Sequence, residues 1–126
     1  MLGVDDYIFN KEEPVRSVLD FVHQHVHDLG EQVTSSIKWR IPYYVRRKGI
    51  CYTNVLAKME VVELNFPFAR AFDPAIQAIL DYRGRSSVAG IMLTSLERID
   101  VEKLDIILQE ALRIDDLHTE GSRLYW

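Results

Sequence analysis

The residues best equipped for chemistry are three histidines, His23, His25 and His27, in the run HQHVH. Alternate spacing would converge on one side of a strand, but on a helix His25 points away, and only His23 and His27, four apart, share a side. Asp20 lies about one turn before His23. Two imidazoles and a carboxylate are a ligand set for a divalent metal such as zinc or non-haem iron. Against this, Glu13, Asp20, Gln24 and His27 fall opposite an apolar stripe, where solvated side chains are the ordinary expectation.

Other candidate groups are scattered. Cys51 would need a nearby base and a lowered pKa to act as a nucleophile, and its neighbours Ile50 and Tyr52 suggest a small core thiol instead. No G-x-S-x-G elbow is present. The run Arg83-Gly84-Arg85-Ser86-Ser87 lacks the spacing and the lysine of a phosphate-cradling loop and reads as a solvated turn, with loose anion binding as the alternative. Cations and rings interleave in Lys38-Trp39-Arg40 and Tyr43-Tyr44-Val45-Arg46-Arg47-Lys48. Stacking rings beside cations serve single-stranded nucleic acid or an aromatic metabolite with an anionic group. In a strand, however, Arg46 and Arg47 face opposite sides, which is also what a charge-protected rim strand looks like.

These groups must be held by one small scaffold, since 126 residues are the length of a single domain. Apolar residues make up 48% and charged residues 27%, the balance of an ordinary globular chain with enough core to fold without staples. With 15 Lys and Arg against 19 Asp and Glu, the net charge of −4 argues against a nucleic-acid backbone or an anionic membrane as main partner. The N-terminus, MLGVDDYIFNKEEP, is acidic where an export signal would be basic, and no long apolar run follows. One cysteine fits a reducing compartment. A cytoplasmic protein is expected.

The positioning elements follow from periodicity. Val15, Val18, Leu19, Val22, Val26 and Leu29 form one stripe of a helix from Pro14 to Leu29, with Gly30 placed to close it in a left-handed conformation. Thr34 or Ser35 reads as the cap of a short helix through Arg40, ended by Pro42. Strands are expected over residues 43–48, 50–57 and 59–66. In the last, Val62, Leu64 and Phe66 alternate with Glu63 and Asn65, predicting one buried and one wet face. Asp73-Pro74 opens a helix to Tyr82, residues 88–94 form a fourth strand, and Asp100 caps a closing helix. The order α-α-β-β-β-α-β-α predicts an α+β fold, an antiparallel sheet of four or more strands covered by N-terminal and C-terminal helices. The tail 115–126 shows no period, and Tyr125 and Trp126 there suit self-association, so monomer and homodimer both stay open.

The stretch SSIKWRIPYYVRRKGICYTNV, with its Lys-Trp-x-x-Pro-x-Tyr core, resembles the YdhG-like family of small bacterial domains of unknown function. FDPAIQAIL, the strand at residues 88–94 and SLERIDVEKLDIILQEAL fit the same layout, so the resemblance spans roughly residues 12–114. Trp39, Pro42 and Tyr44 match the family signature, which implies a helix packed on a sheet with those residues at the junction. The resemblance implies a frataxin-like α+β fold and, along one line of the family, frataxin-like iron handling. Such iron surfaces use carboxylates of the first helix, here Glu13, Asp20 and Asp28, with His23 and His27 added.

No nucleophile and base pair can be assigned, so the expected function is that of a non-catalytic binding protein without a cofactor. Its small-ligand or protein-partner surface would be the helix-sheet junction of Lys38, Trp39, Pro42, Tyr44 and Arg46. The alternative is an iron chaperone holding weakly bound iron through Glu13, Asp20, His23 and His27.

Overall fold

Two helices open the chain in a computed structural model that describes residues 3–118: α1 over Val4–Phe9 and α2 over Val15–His27. The α2 stripe of Val15, Val18, Leu19, Val22 and Val26 is buried as its spacing requires. The helix closes at Asp28 in right-handed geometry, the Asp28 N–H donating to the Gln24 carbonyl and the Leu29 N–H to that of Val26. Gly30, at φ +159°, is nearly extended and does not form the expected left-handed cap. The short α1, which lacks enough turns to show a period, was not legible in the sequence. It contributes Val4 and Ile8 to the core.

The expected helix from Thr34 to Arg40 is instead a strand and a turn. Strand β1, Thr34–Lys38, pairs antiparallel with β2, Ile41–Val45. Trp39 and Arg40 between them sit at φ 53° and 66°. Two successive left-handed residues make the hairpin turn whose twist matches that of the strands it joins. Pro42 therefore lies inside β2, opposite Ile37, and terminates no helix. The physical reason is the alternation of exposed and half-buried side chains in TSSIK, which gives a strand one side to pack but leaves a helix no apolar stripe.

Strands β3, Gly49–Leu56, and β4, Val61–Phe66, continue the meander, and β5, Ala89–Leu93, pairs with β4. The five strands lie in sequence order in one antiparallel sheet, so the α+β class read from the sequence holds, with β1 in place of the second helix. Between β4 and β5, α3 is a single turn, Pro74–Gln77, capped by Asp73 through the Ala75 N–H at 2.9 Å. It stops short of Tyr82 because Asp81 leaves to exchange two backbone hydrogen bonds with Gly90. Helix α4, Val101–Asp116, is capped by Asp100, as expected.

Helices α2 and α4 cover one face of the sheet, burying Tyr44, Cys51, Val62, Leu64 and Leu93 with their own Val22, Leu104 and Leu108. The register places a row of residues across all five strands on the other face: Ser36, Tyr43, Tyr52, Asn65 and Gly90. Every position of β4 is buried, including Glu63 and Asn65, which the alternation had assigned to a wet face. Their cover comes from Arg83 and Arg85, some twenty residues on in sequence. Gly90 is what lets the strands close here, because a Cβ would collide with the Leu64 carbonyl and the Asn65 side chain. Among the described residues no helix is long and apolar enough to cross a membrane. Tyr125 and Trp126 lie outside the described residues.

Candidate functional site

The sheet face turned away from α2 and α4 gathers the groups most suited to binding. At its tip stands Trp39, 72% exposed despite its size. Left-handed backbone is an outlier for a bulky residue and is sustained only where surrounding structure fixes it. Here the β1–β2 register fixes it, and the indole packs edge-on against Tyr43 with ring centroids 5.9 Å apart. The Lys38 ammonium lies over both rings, 4.6 Å from the Trp39 centroid and 5.0 Å from that of Tyr43. Tyr43 in turn stacks on Tyr52 at 5.2 Å with an interplanar angle of 10°. Burial pushes both phenol pKa values up, so both hydroxyls stay protonated and able to donate at neutral pH.

The next strand across carries a guanidinium and carboxylate cluster. Arg83 grips Glu63 with two parallel bonds, Nε to Oε2 at 2.7 Å and Nη2 to Oε1 at 2.8 Å. Arg85 reaches the same carboxylate at 3.1 Å and the Asn65 Oδ1 at 3.2 Å. Burial alone would raise the Glu63 pKa, but the bonds from Arg83 and Asn65 and the charge of both arginines hold it below the ordinary carboxylate range. Both arginines also act on Tyr52, which links the ring stack to the charged cluster electrostatically. The turn Arg83 to Ser87 is therefore docked on the sheet through its arginines and is not simply solvated.

The five residues expected at a helix-sheet junction fall in three places. Lys38 and Trp39 are at the tip of the open face. Pro42 and Tyr44 are buried on the α2 side, where the Tyr44 hydroxyl and His23 Nδ1 share a hydrogen bond of 2.9 Å. Arg46 lies near the opposite end of β2, bonded to Asp115, Asp116 and the Leu112 carbonyl of α4. Asp115, 2% exposed, also accepts from the Arg47 and Lys48 N–H groups. This basic run therefore fastens the β2–β3 turn to the end of α4.

Three of the four expected metal ligands, Glu13, His23 and His27, have other partners. Glu13 accepts from the Ser17 N–H and hydroxyl and pairs with Arg16. His27 is not on a wet face: its Nε2 shares a hydrogen bond of 2.9 Å with the Ser35 hydroxyl of β1. Its ring meets that of His23 edge-on at 4.6 Å. Burial, and then the charge of His27, lowers the His23 pKa against the opposing pull of Asp5 and Asp20. Asp20 lies on an outer groove between α1 and α2 with Asp5, Phe9 and Arg16. No three His, Cys, Asp or Glu side chains among the described residues are grouped to hold a metal ion. His25 points away as expected, bonding Asp105 of α4. Cys51 is fully buried, and burial raises its thiol pKa far from the thiolate range.

The sequence marked Lys38, Trp39 and the Arg83 to Ser87 turn as separate features. Glu63, Asn65 and Tyr52 were missed as members of a site because only strand register brings them beside the others. No family model, curated protein or solved structure matches the chain.

Proposed function

We propose that this is a non-catalytic binding protein whose ligand surface is the open sheet face beginning at the β1–β2 tip. The observation that carries the reading is Trp39: a large apolar ring held out in solvent on left-handed backbone, with a cation over it and a second ring behind it. Nothing in folding calls for that combination. Asn-Gly would turn the hairpin at lower cost, and an indole gains little from an environment where most of it stays wet. Ring, cation and stacked phenols suit a planar ligand carrying an anionic group.

The test is a titration of isotope-labelled protein with 2-naphthoate, a planar ring bearing one carboxylate, followed by amide and indole resonances. Saturable shifts at Lys38, Trp39, Tyr43 and Tyr52, abolished in Trp39→Ala, are the expected result. Shifts confined to the α1–α2 groove around Asp20, or unaffected by removing Trp39, would refute the assignment.

A further inference from the structure

Arg83 and Arg85 are more than Glu63 needs. A buried carboxylate requires a partner, and the two-pronged grip of Arg83 already supplies one. Arg85 adds a second guanidinium, fixed by four bonds: to the Tyr82 carbonyl at 2.8 Å, Glu63 at 3.1 Å, Asn65 at 3.2 Å and the Asp81 carbonyl at 3.5 Å. These bonds use Nε and Nη2 of both arginines, so within the described residues each Nη1 is left without a protein acceptor. Their side chains are 38% and 28% exposed, so neither guanidinium is sealed in the interior.

Charge counting points the same way. Around this turn Arg70, which packs on the Tyr82 ring at 4.0 Å, joins Arg83 and Arg85 against Glu63 and Asp81. Three guanidiniums face two carboxylates, and Lys38 adds a further cation along the same sheet face. An excess of positive charge on one face of a chain with net charge −4 is a local feature of that face. The donors are also held in place before any ligand arrives, which removes much of the ordering cost of binding.

Register sets the spacing between the two halves. Tyr52 and Asn65 are direct cross-strand partners on strands about 5 Å apart, and the Asn65 side chain in turn holds Arg85, so the ring stack and the fixed guanidinium are joined through one cross-strand pair. We propose that this face takes a mononucleotide-like ligand, its planar base against the exposed Trp39 ring and the half-buried Tyr52, which the buried Tyr43 backs, and its phosphate on Arg83 and Arg85. This rests on the binding reading above and gives it a ligand class. The acidic balance of the chain and a single-residue aromatic tip favour a small molecule over a nucleic-acid strand.

The test is calorimetry with four probes: the 5′-monophosphates of the common nucleosides, the matching nucleosides, inorganic phosphate, and a ten-residue oligothymidylate, with the melting temperature of every variant as a fold control. At least one monophosphate should bind tenfold or more tighter than its nucleoside and than phosphate alone. Arg85→Gln should remove that tenfold advantage while leaving the nucleoside unchanged, and Arg85→Lys should restore part of it. No monophosphate binding at millimolar concentration, or the same affinity with and without the phosphate, overturns the proposal. In the second case Trp39-dependent nucleoside binding would leave the general binding reading intact. Phosphate-dependent binding that survives Trp39→Ala would instead overturn the Trp39 reading and keep the arginine seat. Oligothymidylate binding far tighter than any monophosphate would assign the face to single strands and overturn the small-ligand proposal.

Discussion

Single residues in this protein are governed by whether their polar atoms find partners once folding buries them. His23 meets Tyr44, His27 meets Ser35, and Asp115 collects a guanidinium and two backbone N–H groups. Thr53, 1% exposed at the centre of β3, is the counterexample, since its hydroxyl has no hydrogen-bond partner among the described residues. A buried hydroxyl without a partner costs roughly 1–3 kcal/mol. Valine has the same branched shape and strand preference without that oxygen. Thr53→Val is therefore expected to stabilise the protein by about 1 kcal/mol, read as an increased urea midpoint at unchanged slope. A lower midpoint would show that the hydroxyl is satisfied.

At the scale of elements, the β1–β2 turn carries the clearest local conflict between sequence and structure. Arg40 is left-handed at φ 66° with no glycine or asparagine to ease it. That conformation costs an ordinary residue about 1–2 kcal/mol, while a glycine gives back up to about 1 kcal/mol through the entropy of the unfolded chain. Arg40→Gly should thus stabilise the hairpin by about 0.5 kcal/mol, seen as a small rise in melting temperature with Trp39 undisturbed. The same conflict explains why β1 was misread. Ser35 and Thr34 are helix-cap residues by type, and nothing in Trp39-Arg40 announces a turn, because the usual Gly or Asn is absent. By contrast α2, β3 and α4 were legible, since each has a long stripe or strand-rich run whose burial is decided locally. Half of the candidate site was legible too. Lys38 and Trp39 stand out by type, and Arg83 and Arg85 by proximity, whereas the buried Glu63 and Asn65 become members only through pairing with β3, β5 and a distant turn.

The whole molecule is a sheet with two unlike faces, and each has its own acid weakness. On the helix face His23 sits between α1, α2 and β2, facing Asp5, Asp20, His27 and Tyr44, and its pKa is lowered from the usual 6.5. The unfolded chain therefore takes up a proton there first, so this contribution is complete above pH 6.5 and declines as pH falls toward the lowered value. On the open face Glu63, and beside α3 Glu110, titrate below the ordinary 4.5, held there by Arg83 and Arg113 respectively. For these the unfolded carboxylates protonate first, so their stabilisation is present above pH 4.5 and is lost as pH drops through the lower folded values. Stability should accordingly fall in two stages on acidification, one just below 6.5 and one below 4.5. The stages rest on different groups, so they separate by mutation. In urea unfolding followed at a series of pH values, His23→Gln should flatten the first stage and leave the second. Glu63→Gln should reduce the second and leave the first. A single stage removed by neither substitution would mean that the acid sensitivity lies elsewhere than in the two faces of the sheet.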